Sequence, residues 1–506
     1  MSLSLDDQVR ERALTRRVLW KLDIHVLPSL ALIWLANFID RTNVGNARIA
    51  GLEKDTHLHD NQFNIALAVF YVPYILVELP SNWALKHVQA NRWLPLLIFV
   101  WGIVTTLSGL IQNFAGLIAA RFFLGMCEGG ILPGIVLYLS TLYKPQELQL
   151  RVGVFYASGL LATAIIKMDG VANLVGWRWI FILEGLATCL IGLVTVAVLP
   201  AGLATASFLT DEERAFALQR FRAATRTTTS APLLEPSRPI TDLGKDGEEI
   251  KIKTQDAGPR AEATINQEEE QFEWREVIRG LLEIQAWLTG ISYLGIIVSL
   301  YSYSLFLPTI VAELGFTGGE AQLRTVPPYI PAVVLTIVVA FLADRYKLRG
   351  TLIIILLPIT IAGYILAIAA TTNEVRYAAV FLIATGLYPT APCILSILPN
   401  NTAGHYKKAT CIALQLAVAN TGGFVATFVY TNGQAPTYIK GHSIVLGFVC
   451  LAWLFMVANV LYCRSENKAR SAGRRQSNVE SYQSLWDAGE THAPIGDRHP
   501  DFSFIL

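Results

Sequence analysis

Charged side chains are scarce: they occupy 16% of the 506 positions, where an ordinary soluble chain carries about 25%. A soluble enzyme of ordinary composition is excluded. Neither sign prevails, since 40 lysines and arginines stand against 39 aspartates and glutamates for a formal charge of +1. The chain therefore has no basic field to hold nucleic acid and no acidic excess of a disordered, solvating protein. The six cysteines (Cys127, Cys189, Cys393, Cys411, Cys450 and Cys463) lie in or beside apolar runs, with no CxxC pair and no histidine at ligand spacing, so neither a disulfide framework nor a zinc site is indicated. No nucleophile elbow, HExxH helix or phosphate loop occurs, and no enzyme activity and no cofactor are expected. A cleavable leader is not expected either, because about twenty polar and charged residues, Met1 to Lys21, precede the first apolar run.

What the chain has is apolar length. Hydrophobic residues make up 53% of it and the mean hydropathy is +0.44. Crossing a hydrocarbon core of about 30 Å takes roughly 20 apolar residues as helix, and twelve such runs can be marked. In the first half they are approximately Ile24 to Asp40, Gln62 to Leu79, Leu94 to Ile111, Ala115 to Leu142, Val152 to Ile166 and Trp177 to Leu199. In the second half they lie near Gln285 to Val311, Val326 to Ala343, Thr351 to Ala370, Val375 to Leu398, Ala409 to Tyr430 and Ser443 to Cys463. The expected fold is an all-α polytopic membrane protein of twelve transmembrane helices in two pseudo-symmetric six-helix bundles. Its expected divisions are an N-terminal tail (1–22), a first bundle (23–200), a polar linker (201–284), a second bundle (285–463) and a C-terminal tail (464–506).

Lysine and arginine fix an expected orientation. The even-numbered loops carry Lys86 and Arg92, Lys144 and Arg151, Arg345, Lys347 and Arg349, then Lys407 and Lys408, while Arg48, Lys54, Lys167, Arg324, Arg376 and Lys440 fall on the opposite side. By the positive-inside rule both termini are cytoplasmic. Within the linker, Thr210 followed by Asp211, Glu212 and Glu213 reads as a capped helix start, and Phe272, Trp274, Val277, Ile278 and Leu281 as an interfacial amphipathic turn. A loose internal repeat links Gly125, Glu128, Gly129 and Pro133 with Gly386, Pro389 and Pro392. Two parallel six-helix repeats mark a class of secondary transporter that binds substrate near the midplane between its halves.

Asp40 to Ala47 reads DRTNVGNA, Gly176 to Gly185 reads GWRWIFILEG, and supporting segments are ELPSNWALK from Glu78, ARFFLGMCEGGILPG from Ala120, FLTDEER from Phe208 and NNTAGHYKKA from Asn400. On these the chain resembles the major facilitator superfamily, and within it the fungal anion:cation symporters similar to allantoate and nicotinate permeases, over about residues 20 to 465. The resemblance implies proton-driven uptake of a small organic anion, often a carboxylate such as a vitamin acid, across the plasma membrane. The superfamily's first-half loop motif is altered here, Lys86 to Arg92 lacking the acid, while the second-half form survives from Asp344 and Arg345 to Gly350. Span five is a further departure. At about 15 residues it gives roughly 22 Å of helix, and the resemblance expects more chain between Tyr156 and Gly159.

A charge at the centre of a spanning helix costs about 2.5 to 3.5 kcal/mol, so it needs a partner or a task. Arg41 ends span one, where a guanidinium can grip a carboxylate through two parallel bonds. The resemblance implicates the arginine of this motif with substrate, and Asn43 and Asn420 join it as expected substrate ligands. Glu128 in span four is expected to carry the proton, with Arg121, seven residues earlier and on nearly the same face, tuning it. The competing reading gives Arg121 and Glu128 fixed partners on neighbouring helices. Structural or gating roles are expected for Asp40, for Glu78 (anchored to Lys86 or Arg151), for Arg178 (snorkelling to the interface), and for Glu184, Asp344 and Arg345. The second half offers Gln415, Tyr301, Tyr303 and Tyr388 besides Asn420. The expected partners are thus the lipid bilayer, a small organic anion and protons. Two alternatives stand beside import: export of a metabolite on the same fold, or a nutrient receptor without turnover.

Overall fold

The structure is a computed structural model that describes residues 5–47, 51–59, 62–144, 147–154, 176–229, 272–315, 324–430, 434, 437–491, 493 and 495–506. Among the described residues, eleven helical stretches are long and apolar enough to cross a membrane, and they match every expected span except the fifth. In the first half they are Leu5–Ala47, Gln62–Val88, Ala90–Ser108, Phe114–Glu128 continued by Ile131–Leu142, and Gly176–Val198. In the second they are Ile284–Glu313, Tyr329–Tyr346, Arg349–Ala369, Asn373–Leu387 continued by Thr390–Asn401, His405–Asn420 continued by Gly422–Val429, and Ile439–Ser471. Past Val154 the fifth run lies outside the described residues, and its expected shortness with it.

Span four breaks after Glu128, where Pro133 has no N–H to give the Gly129 carbonyl, and there it is pressed onto span two. A Cβ at Gly125 or Gly129 would run into the backbone of Phe70 or Tyr74, and one at Gly130 into Ser81. Only glycine permits this approach, and it brings Glu128 against the first two spans.

Spans one and twelve exceed their expected lengths for the same physical reason: their polar extensions are paired. Span one begins at Leu5, so most of the segment 1–22 continues the spanning helix. Its Arg10 pairs with Glu212 and its Lys21 with Glu213, both on the linker helix Asp211–Thr229. That helix opens with the expected capping box. Glu213 N–H donates to Thr210 Oγ1 at 3.3 Å and Thr210 N–H to the Glu213 carboxylate at 3.0 Å. Span twelve runs on to Ser471, its last turns carrying the Glu466–Arg470 pair and the ion pair of Arg475 with Glu466.

The halves touch at the end of the bundle that carries the linker. Asp344 accepts the backbone N–H groups of Gln149 and Leu150 at 3.3 and 2.7 Å and the Arg349 guanidinium at 3.1 Å. Arg349 Nε also donates to Gln149 Oε1 at 3.2 Å. Asn82 reaches the Ala409 carbonyl at 3.3 Å, and Trp83 packs edge-on against Phe272 and Trp274.

The C-terminal segment, polar in sequence, is docked on this same end. Lys407, of the NNTAGHYKKA segment, is buried between Glu283, at 2.7 Å, and Asp497. Asn401 exchanges two bonds, 3.0 and 2.9 Å, with the backbone of Ile505, as a strand partner would. Phe502 and Phe504 are buried beside Cys463, with the Arg470 guanidinium 5.6 and 4.3 Å from their ring centres.

Candidate functional site

Asn37, Asp40, Arg41 and Val44 recur at helical spacing on span one, which aims three polar side chains out of an apolar helix toward spans two, three, four and seven. Arg41 Nη1 donates to Tyr301 Oη of span seven and Nη2 to Tyr74 Oη of span two at 3.3 Å. Its guanidinium lies 5.1 and 5.7 Å from the centres of those two rings, within cation–π reach. Glu128 is fully buried, yet its nearest oxygen is 3.9 Å from Arg41, beyond hydrogen-bond distance. It accepts instead from Asn37 Nδ2 at 2.8 Å.

Asp40 completes this inner group, fully buried one turn from Asn37 and accepting from Thr105 at 3.5 Å. Arg121 is buried in the field of three carboxyls, those of Asp40, Glu128 and Glu184. Arg121 and Glu128, on one face of span four, thus both enter the central group.

A second chain of bonds crosses between the halves. Tyr301 Oη donates to Asn420 Oδ1 at 3.3 Å, and Asn420 Nδ2 donates to Glu78 Oε1. Glu78 was expected to anchor to Lys86 or Arg151. Arg151 is held at 2.7 Å by Asp23, and the buried partner of Glu78 is Asn420. Asn43, expected on the substrate, donates to Glu184 at 2.9 Å. Arg178, expected to snorkel to the interface, lies outside the group, bonded to the Gly109 carbonyl at 3.1 Å and stacked 4.7 Å from the Trp177 ring centre. Asp344 acts at the linker end through Arg349, while Arg345 is exposed.

Sequence reasoning passed over Asn37 and Tyr74. Asn37 had a readable signal, a lone amide one turn before Arg41 in an apolar run. Tyr74 had none, being one aromatic among several on its helix. Tyr303 and Tyr388 stay within the second half, bonded to the Val380 carbonyl at 3.2 Å and to Ser304 at 3.1 Å. Gln415 does likewise, donating to the Ile394 carbonyl at 3.3 Å. A cavity of about 30 Å³ among Tyr303, Tyr364, Arg376, Tyr430 and His442 has room for water rather than for an organic ligand, whose pockets run to about 300 Å³ or more.

Comparison with known proteins gives this arrangement its family. The Major Facilitator Superfamily model matches residues 30–429. An uncharacterised transporter of Schizosaccharomyces pombe is 33% identical over 97% of this chain and 90% of its own length. A high-affinity nicotinic acid transporter of Saccharomyces cerevisiae is 26% identical over 97% of this chain and 85% of its own. Among solved structures, a proton:xylose symporter superposes with a TM-score of 0.60 at 13% identity, covering 85% of this chain and 95% of that one, a likeness of fold. The chain is a multi-pass membrane protein and belongs to the major facilitator superfamily of transporters.

Proposed function

We propose that the protein imports a small organic anion, a carboxylate, together with protons across the plasma membrane by alternating access. The observation that carries this reading is the state of Arg41. A half-buried guanidinium between helices is held by two phenol hydroxyls, and among the described residues no carboxylate lies at hydrogen-bond distance from it. Tyrosine hydroxyls are weaker acceptors than a carboxylate, so an incoming carboxylate gains by displacing them and binding in the bidentate manner. The nicotinic acid transporter among the relatives fits a substrate of that chemistry.

Proton coupling follows from charge balance. The central group holds four carboxyls (Asp40, Glu78, Glu128, Glu184) and two guanidinium groups (Arg41, Arg121), hence −2 if all are ionised, inside a hydrocarbon slab that penalises uncompensated charge. Substrate arriving on Arg41 removes the cation that faces Glu128. Glu128, with Asp40 beside it, then takes a proton, and the pair releases it when the substrate leaves. Residues 23–200 and 285–463 act as the two rocking bundles. Segments 1–22, 201–284 and 464–506 face the cytoplasm, which makes the Asp344–Arg349–Gln149 contacts an inner latch.

The test is uptake of labelled carboxylates, nicotinate among them, into transporter-deficient yeast at acidic and neutral pH. Acid-favoured accumulation against the gradient is expected. Glu128→Gln should abolish that accumulation while leaving exchange of internal for external substrate. Export of preloaded substrate, or binding without accumulation, would overturn the import reading.

A further inference from the structure

The Arg41 pole of the central group explains an anion but not the second buried carboxylate at the opposite end of the same bond chain. Glu78 is fully buried on span two. Its Oε1 receives Asn420, and its Oε2 is buried with no hydrogen-bond partner among the described residues. A carboxylate oxygen left so is costly and calls for an explanation; Glu128 and Glu184 each carry one as well, but only that of Glu78 stands at the far end of the bond chain from Arg41.

Asn420 cannot swing away to satisfy it. Its Oδ1 already accepts from Tyr301, and Tyr301 in turn accepts from Arg41. Arg41, Tyr301, Asn420 and Glu78 therefore form one chain of bonds, spans one, seven, eleven and two contributing one member each, and a carboxylate that takes the place of Tyr301 on Arg41 leaves the Tyr301–Asn420 bond intact. At one pole stands a group that only donates, at the other a group that, ionised, only accepts. A ligand matching both poles brings an acceptor to Arg41 and a donor to Glu78.

We propose that Glu78, positioned by Asn420, selects among anions: the substrate is a carboxylate that carries, on the same small scaffold, a hydrogen-bond donor directed at the free Oε2 of Glu78. This rests on the reading of Arg41 as the carboxylate site. A site built to bond a donor rejects the isostere lacking it far more strongly than an apolar pocket rejects a missing methylene, because the buried acceptor is then left unpaired. The structural alternative, Glu78 as a purely mechanical link between the halves, predicts no such preference.

A matched pair of probes separates them. Pyrrole-2-carboxylate and furan-2-carboxylate share ring size and carboxylate and differ in an N–H donor against a ring oxygen acceptor. Affinity is read on the purified full chain by ligand-induced thermal stabilisation, and competition by inhibition of substrate uptake in cells. The wild type should prefer the pyrrole roughly tenfold or more. Glu78→Gln keeps size and can still accept from Asn420, which turns its amide NH₂ toward the free position, so the preference should vanish or invert. Glu78→Asp should retain it in weakened form.

Equal binding of the two probes to the wild type would overturn the proposal. So would a Glu78→Gln protein that weakens both equally and keeps their ratio, which is the signature of a mechanical link. Arg41→Gln separates the two readings. Probe binding that depends on Arg41 but ignores the N–H leaves the carboxylate site standing and removes Glu78 from selection. Binding indifferent to Arg41 removes both.

Discussion

The two halves of the molecule use charge in opposite places. In the first, Asp40, Arg41, Glu78, Arg121, Glu128 and Glu184 sit within the spans and converge near the middle of the bundle. In the second, the middle is furnished by neutral groups, Tyr301 and Asn420, and the paired charges Asp344, Arg349 and Lys407 gather at the linker end. A buried ion responds to protons and to charged ligands, whereas a buried amide or phenol holds direction without titrating in the ordinary range. On the proposed reading the first half senses charge, and the second shapes the site and fastens one end of it.

The strongest way to break that division is at Arg41. Arg41→Gln should lower carboxylate uptake by about 10²-fold or more, the loss of two charge-assisted bonds of roughly 1.5 to 3 kcal/mol each, with surface expression unchanged. Normal uptake by this variant would move anion binding out of the first half.

Next in size is a change at the linker end of the second half. Lys407→Met leaves Glu283 and Asp497 facing each other without their cation, and breaking a buried ion pair on one side costs about 3 to 5 kcal/mol. The melting temperature in detergent should fall clearly. Neutralising both acids, Glu283→Gln with Asp497→Asn, should restore much of it in the Lys407→Met background. No loss on Lys407→Met would mean that the docked segment 495–506 does not fasten this end.

Tyr301→Phe sharpens the comparison at the centre. It removes a hydroxyl that accepts from Arg41 and donates to Asn420, so the second half loses direction but no charge. Uptake should weaken roughly tenfold while its pH dependence stays as in the wild type. A shifted pH profile would show that the second half takes part in charge sensing after all.

How much of this could be read in the sequence follows from the same physics. Spans were legible because about 20 apolar residues have few other uses, and Arg41, Arg121 and Glu128 because a charge in such a run needs a reason. Their partners were not. Tyr301 lies 260 residues from Arg41 and Asn420 lies 342 from Glu78, and no local pattern announces a contact at that range. Of the two cations expected for Glu78, Arg151 is taken by Asp23 and the Lys86 side chain lies outside the described residues, while Asn420, the partner Glu78 does have, sits in the other half. The docked tail was hidden more completely, since Asn401, Lys407 and Asp497 look like ordinary loop polarity until burial shows that each is paired. Local chemistry fared best: the capping box at Thr210 and Glu213 formed as its spacing indicated.

That capping box supplies the smallest expected effect, and it lies in the linker, outside both halves. Burial of the Glu213 carboxyl pushes its pKa up, but the Lys21 ammonium and the Thr210 N–H and hydroxyl outweigh burial and hold it below the ordinary carboxylate value. A group depressed in the folded state stabilises it above the unfolded pKa and loses that contribution as pH falls. The contact between span one and the linker helix should accordingly hold at neutral pH and loosen only as pH drops through and below the ordinary range near about 4.3. Hydrogen exchange of residues 211–229, corrected for intrinsic rates, measures it. Thr210→Ala should raise exchange at the helix start by about 1 kcal/mol of lost capping. Lys21→Met should move the acid loosening to higher pH, because burial then acts without its counterweight. If neither substitution alters exchange while Arg41→Gln still abolishes uptake, the linker helix is held by its apolar face alone, and its ion pairs with span one contribute nothing to the fold.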